Sequence, residues 1–192
     1  MTKALELSGI QSYFSNEENT PTGSCAILFH KKQRTICVNL GASVKYGSEH
    51  LTSNFSVLEN ASFLYSSGYF ISSNYDALMR CAQYAADTNK PFGFNFSASF
   101  IIQYKSDKIN TILEYTDYIF CNEDEAKSFA EIYKIEHSSI KDIGIAIAKW
   151  KKFNTKRPRI SIITQGKDPV LVSIHQEGQE VVTKEFPVSL ID

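Results

Sequence analysis

Asn122 and Glu125 stand three residues apart, directly after the apolar run Tyr118 to Cys121. An amide and a carboxylate at that spacing can close on each other across the first turn of a helix. The Asn oxygen accepts from a backbone N–H, and the Glu reaches back to the Asn. Glu123 and Asp124 crowd the same turn. Two chemistries are open to such a cluster. Acidic residues in a first turn favour the helix dipole by about 0.3–1 kcal/mol each and need do nothing more. At the carboxyl end of a parallel strand, where open α/β sheets bind ligands, a carboxylate can instead order water around Mg²⁺, which keeps several waters and takes few protein ligands. Further polar groups sit where other short apolar runs stop: Asn95, and Thr164 with Gly166. A hydroxyl and a bare backbone suit close approach of phosphate, although Gln165-Gly166 is equally a plain strand-ending turn. Arg34 opens an apolar run and offers a guanidinium fork, or simply a charged hairpin end.

The elements that must position these groups follow from periodicity. Ala4 to Phe14 can form a short helix. Strands are expected at Ser24–Phe29 and Arg34–Leu40, paired as a hairpin around His30-Lys31-Lys32-Gln33. Leu51–Asn60 is a helix candidate. Then the pattern becomes regular: strand Ser62–Ser67, and helix Tyr75–Thr88 with Leu78, Cys81, Ala82 and Ala85 at helical spacing. Strand Phe92–Phe96 follows, then a polar break at Ser97-Ala98-Ser99 and a helix Lys105–Tyr115. Next come the central strand Tyr118–Cys121 with its capped helix, helix Ser138–Lys151, and strand Ile160–Thr164. A final hairpin pairs Val170–His175 with Glu180–Phe186. Strand–helix alternation implies a mainly parallel sheet with right-handed crossovers.

The bulk numbers bound the function. The chain has 192 residues with 43% hydrophobic and 21% charged, an ordinary globular balance. A net charge of −1 gives no electrostatic case for nucleic acid. The basic run from Lys149 to Arg159 reads as a solvated helix end and loop. The cysteines, Cys25, Cys37, Cys81 and Cys121, lack C-x-x-C spacing and sit among apolar neighbours. They read as buried free thiols of a reducing compartment. No signal-peptide pattern and no membrane-spanning run is present, so the expected location is the cytosol, with the nucleus open. No Walker A or protein-kinase signature is found.

Six pieces occur in one order: Pro21-Thr22-Gly23-Ser24-Cys25-Ala26, Asn39-Leu40-Gly41-Ala42, Ser67-Gly68-Tyr69-Phe70, Asn95-Phe96-Ser97-Ala98-Ser99-Phe100, Phe120-Cys121-Asn122-Glu123-Asp124-Glu125-Ala126, and Thr164-Gln165-Gly166-Lys167-Asp168. Together they resemble the ribokinase-like (PfkB) carbohydrate kinase family, in its adenosine kinase branch, across nearly the whole chain. The resemblance implies a three-layer α/β sandwich with part of a small β lid and a C-terminal β-hairpin. The whole, 1–192, would be a single incomplete ribokinase-like domain, with a lid-side hairpin at 24–40 and the central core at 61–192. It implies ATP- and Mg²⁺-dependent phosphorylation of the adenosine 5′-hydroxyl, a purine-salvage reaction, by a monomer that binds neither nucleic acid nor membrane.

The resemblance also distributes roles. Cys25, Ile36, Val38 and Leu40 would form one apolar side of the nucleoside pocket, and Tyr69 and Phe100 its aromatic walls. The family more often has Pro where Ser99 stands, which leaves that loop less stiff. Arg34 would meet the transferred phosphate. Asn95, Asn122, Thr164 and Gly166 would hold phosphate or its metal-bound waters, and Glu125 the Mg²⁺ through water. Asp192 matches a position near a monovalent (K⁺) site. The family's catalytic base lies in a Gly-Ala-Gly-Asp segment beyond Asp192. By this expectation the chain is a middle segment and inactive alone. Two rival readings remain: a ribokinase-like kinase for another nucleoside or a sugar, and a non-catalytic α/β binding module.

Overall fold

A computed structural model describes residues 2–31 and 33–189 of the chain, which divides into two compact units, Met1–Glu59 and Asn60–Asp192. In the first unit, helix α1 spans Thr2–Leu7, shorter than the expected Ala4–Phe14. Gly9, in the left-handed region at φ 73°, receives the end of this helix, and its N–H donates to Glu6 O. Strands β1 (Thr22–His30) and β2 (Gln33–Gly41) form the expected antiparallel hairpin, extended by a residue or two at its ends. A single 3₁₀ turn, Ala42–Lys45, follows, then helices α2 (Ser48–Ser53) and α3 (Phe55–Asn60).

The second unit carries a sheet of six strands in sequential order. These are β3 (Leu64–Ser67), β4 (Phe92–Asn95), β5 (Tyr118–Asn122), β6 (Arg159–Gln165), β7 (Asp168–His175) and β8 (Val182–Phe186). β3 to β6 are parallel, and β7 and β8 extend the sheet antiparallel as the expected terminal hairpin. The connections are α4 (Phe70–Asp87), α5 (Ser99–Tyr104) with α6 (Ser106–Leu113), and α7 (Glu123–Ile132) with α8 (Ile140–Ala148). Because the strand order never reverses, right-handed crossovers put these helices on one face. Burial agrees. Phe92, Phe94, Phe96, Ile119, Cys121 and Ile163 are buried on that face with Leu78, Ile102, Ile112, Phe129 and Ile147 from the helices. The opposite face is half-open and carries Tyr65, Tyr118 and Phe120 in edge and tilted ring contacts.

Two expectations for this unit's helices and basic run need correction. The helix expected over Lys105–Tyr115 is present as α6, but a further helix, α5, precedes it across Lys105, whose φ of −130° and ψ of 29° are not helical. Ile101 and Ile102 of α5 are fully buried, so packing makes a helix from a stretch without helical period. The basic run is not simply solvated. Arg159 is 1% exposed and donates to the carbonyls of Thr116, Trp150, Leu113 and Lys151. Lys152 pairs with buried Asp117 and donates to Arg157 O and Pro158 O. Backbone carbonyls at and after the end of α6, after α8 and before β6 supply the acceptors that let these charges enter the protein. Burial lowers both side chains' pKa, that of Arg159 to about 10.

Candidate functional site

The polar residues singled out at strand ends lie on one register row and the next. Ser67 pairs with Asn95, Asn95 with Phe120, and Phe120 with Ile162; two residues on, Asn122 pairs with Thr164. Side chains alternate across a strand, so all of these face the half-open side of the sheet, away from the buried row. They line a cavity of about 270 Å³ at the carboxyl ends of the parallel strands, formed by Asn95, Ser97, Phe120, Cys121, Asn122, Glu125, Ile162 and Thr164. Asn95, Asn122, Glu125 and Thr164 are therefore brought together.

The Asn122–Glu125 pair is a complete capping box. Glu125 N–H donates to Asn122 Oδ1 at 2.8 Å, Asn122 N–H to Glu125 Oε2 at 3.1 Å, and Asn122 Nδ2 to Glu125 Oε1 at 3.0 Å. Glu125 is 6% exposed, and burial raises its carboxyl pKa, with the Asn122 N–H acting against it. Glu123 instead pairs with Lys127 on the helix surface, 2.6 Å away. Each carboxylate oxygen accepts several hydrogen bonds, so Glu125 is fixed but not saturated. Among the described residues there is no group of three or more His, Cys, Asp or Glu side chains that could hold a metal. A cation held through water on a single carboxylate is what the donor set fits.

Beside this cavity the ends of β3 and β4 are tied by hydroxyls. Ser97 is left-handed at φ 68°, and its N–H donates to Asn95 Oδ1 at 2.8 Å. Its hydroxyl meets Ser67 Oγ at 2.9 Å and accepts from Gly68 N–H at 3.0 Å. Gly68 has no room for a side chain: a Cβ would lie 2.5 Å from Phe96 O. Next in sequence, Tyr69 is the N-cap of α4, and its ring centroid is 6.2 Å from that of Phe100 with the planes tilted by 53°. Both rings are about half exposed. Thr164 sits where the β6–β7 register shifts between Ile163 and Gln165, and bulges of this kind re-aim side chains near ligand sites. Gly166, at φ 63°, makes the turn beyond and is not among the cavity residues.

In the first unit, register puts Cys25 opposite Val38, Ile27 opposite Ile36 and Phe29 opposite Arg34. With Leu40 two residues beyond Val38, Cys25, Arg34, Ile36, Val38 and Leu40 share one face of the hairpin. That face is exposed, Val38 by 55%, and Cys25 and Cys37 are exposed thiols rather than the expected buried ones. Cys81 is intermediate and Cys121 buried; burial pushes Cys81 up to about 11 and Cys121 higher still. Asp192 lies outside the described residues. The Ser67–Ser97 tie escaped sequence reasoning. Its only trace is a Ser at the end of β3 and another two residues past the end of β4, and the contact joins residues thirty apart.

A family model described as pfkB family carbohydrate kinase matches residues 1–192. The chain is 33% identical to the adenosine kinase of Schizosaccharomyces pombe over 177 residues, 90% of this chain and 52% of that protein. It is 33% identical to adenosine kinase 1 of Arabidopsis thaliana over 190 residues, 98% of this chain and 54% of that protein. It thus spans about half the length of the curated relatives it matches. Among solved structures, Anopheles gambiae adenosine kinase in complex with P1,P4-di(adenosine-5) tetraphosphate superposes with a TM-score of 0.92 at 35% identity, covering 100% of this chain and 57% of that one. Schistosoma mansoni adenosine kinase in complex with 2-fluoroadenosine gives 0.90 at 26% identity, covering 100% and 56%.

Proposed function

The chain belongs to the pfkB family of carbohydrate kinases, and from that premise we propose that its protein transfers the γ-phosphate of ATP to the 5′-hydroxyl of adenosine with Mg²⁺. The observation that carries this reading is the cavity at the carboxyl ends of β4, β5 and β6, where Asn95, Asn122, Glu125 and Thr164 converge. Phosphoryl transfer asks for positioning and for charge compensation at the phosphate oxygens rather than for covalent help. The donors are at hand. Asn95 spends its Oδ1 on Ser97 and keeps its amide N–H groups. Asn122 spends one Nδ2 hydrogen on Glu125 and keeps the other. Thr164 adds a hydroxyl, and Gly166 a turn with open space about its Cα. Glu125 would hold Mg²⁺ through water, and the ion would supply charge neutralisation at the phosphates. Tyr69 and Phe100 offer two tilted faces for a purine.

On the hairpin, Cys25, Ile36, Val38 and Leu40 are proposed as apolar nucleoside contacts and Arg34 as the cation for the transferred phosphate. The names of the relatives support adenosine as the acceptor. The family reading also carries a monomer acting in the cytosol or nucleus, with K⁺ near Asp192. Light scattering, fractionation and exchange of K⁺ for Na⁺ check these points.

The test uses the complete gene product that carries this chain. ATP, Mg²⁺ and adenosine should give AMP, and a thermal-shift panel of adenosine, inosine, ribose and fructose should respond to adenosine first. Glu125→Gln keeps a capping-box residue type. It should raise the Mg²⁺ concentration for half-maximal rate about 10-fold or more, as for other outer-sphere groups. An unchanged Mg²⁺ dependence removes Glu125 from the ion's surroundings, and a response to sugars alone removes adenosine.

A further inference from the structure

We infer that Ser97 is a positioning residue whose hydroxyl latches the Gly68–Tyr69 turn to the end of β4 and so sets the aromatic wall for the nucleoside. The inference rests on the kinase reading above for its functional consequence, but its geometry stands alone. The Ser97 hydroxyl has one donor and two acceptor positions, and all are used. It donates to Asn95 O at 3.2 Å and accepts from Gly68 N–H at 3.0 Å, and the Ser67 hydroxyl, 2.9 Å away, supplies the remaining hydrogen. Ser67 Oγ then accepts from Tyr69 N–H at 3.3 Å. Two backbone amides of the turn that leads into α4 thus meet side-chain oxygens: Tyr69 N–H meets Ser67 Oγ, and Gly68 N–H is shared between Ser97 Oγ and the backbone Asn95 O, 2.7 Å away.

The backbone carries a cost to make this possible. Ser97 holds φ 68°, a region that L-residues other than Gly, Asn and Asp seldom adopt, and such outliers persist where surrounding structure over-determines them. A glycine would take that conformation without strain. A serine there adds a hydroxyl beside the backbone acceptor Asn95 O and links it to the Ser67 hydroxyl that receives Tyr69 N–H. Because the Ser97 N–H, not its side chain, binds Asn95 Oδ1, the hydroxyl addresses the base side of the site and leaves the phosphate side to the main chain. That division gives the test its resolving power.

Ser97→Ala removes the hydroxyl and keeps the strain, whereas Ser97→Gly removes both. In the complete gene product, both variants should raise KM for adenosine about tenfold, the size of one lost hydrogen bond in a preorganised wall. KM for ATP should stay within about twofold, since the contact from the residue-97 N–H to Asn95 Oδ1 survives. Ser97→Gly should melt no lower than Ser97→Ala. The double variant Ser67→Ala/Ser97→Ala should be no worse than the single changes, because the two hydroxyls act as one unit. Hydrogen exchange gives a readout independent of kinase activity: the Tyr69 amide, held by Ser67 Oγ, should exchange faster in both variants, while Gly68 N–H keeps its backbone bond to Asn95 O. Wild-type KM in Ser97→Gly, parallel rises in both KM values, or unchanged exchange at Tyr69 would each overturn the latch. A wild type that makes no AMP, with exchange still altered, would instead fail the kinase reading and leave the latch standing.

Discussion

Asn122→Asp is nearly isosteric and keeps the oxygen that accepts from Glu125 N–H at 2.8 Å. It replaces the Nδ2 donor, 3.0 Å from Glu125 Oε1, by a second oxygen. Two ionised carboxylates at that separation repel by roughly 5 kcal/mol at an effective dielectric of 20. The pair avoids most of this by keeping one proton, which raises one apparent pKa of the dyad further. Glu125 already starts high because of burial. The sign follows: a carboxyl whose folded pKa lies above its unfolded value stabilises the fold while protonated, and that contribution is lost as pH rises through the folded pKa. Urea titrations of the chain at pH 5 and pH 8 should therefore diverge. Asn122→Asp should be close to wild type at pH 5 and less stable by about 2–4 kcal/mol at pH 8, the ceiling above reduced by relaxation and water. Asn122→Ala should lose about 1 kcal/mol of cap plus about 2 kcal/mol for the carboxylate bond, with a weaker pH trend. Equal losses for Asn122→Asp at both pH values would mean that Nδ2 and Oε1 are not in contact, and the fixed carboxylate would go with them.

Two further outcomes follow from buried groups away from the cavity. Arg159→Met should destabilise the chain by about 3 kcal/mol or more in urea, because four carbonyls lose their bond to the buried guanidinium; Arg159→Lys should recover little, since an ammonium cannot span the fork. A loss under 1 kcal/mol would show that water replaces the guanidinium easily. Alkylation at pH 7 read by mass spectrometry should label exposed Cys25 and Cys37 within minutes and leave Cys121 untouched until the chain unfolds. Early labelling of Cys121 would show the cavity floor to be open.

What could be read in the chain divides by distance along it. The Asn122–Glu125 box spans four residues, so local chemistry fixed both partners in advance. The parallel core was legible because the strand runs are short, apolar and separated by helical spacing. Helix α5 was not, since Phe100-Ile101-Ile102 carries no helical period and becomes helix only by burying Ile101 and Ile102. Arg159 and Lys152 misled because composition marks charges as solvated, while their acceptors come from Leu113, Thr116 and Arg157, which meet only in three dimensions. Ser97 was passed over as a polar break for the same reason.

One geometric condition ties the site together. Asn122 is both the last residue of β5 and the N-cap of α7. As a strand residue it must share a face with Phe120, and that face pairs with Asn95 and Thr164. As a cap it must present its side chain to Glu125 N–H. Both demands hold only if the strand ends on an outward-facing position. One residue more or fewer before the helix would turn the capping side chain toward the buried row of Ile119 and Cys121. The length of Tyr118–Asn122 therefore fixes the direction in which Glu125 is held, and with it the place where a cation and a phosphate could meet the ends of the parallel strands.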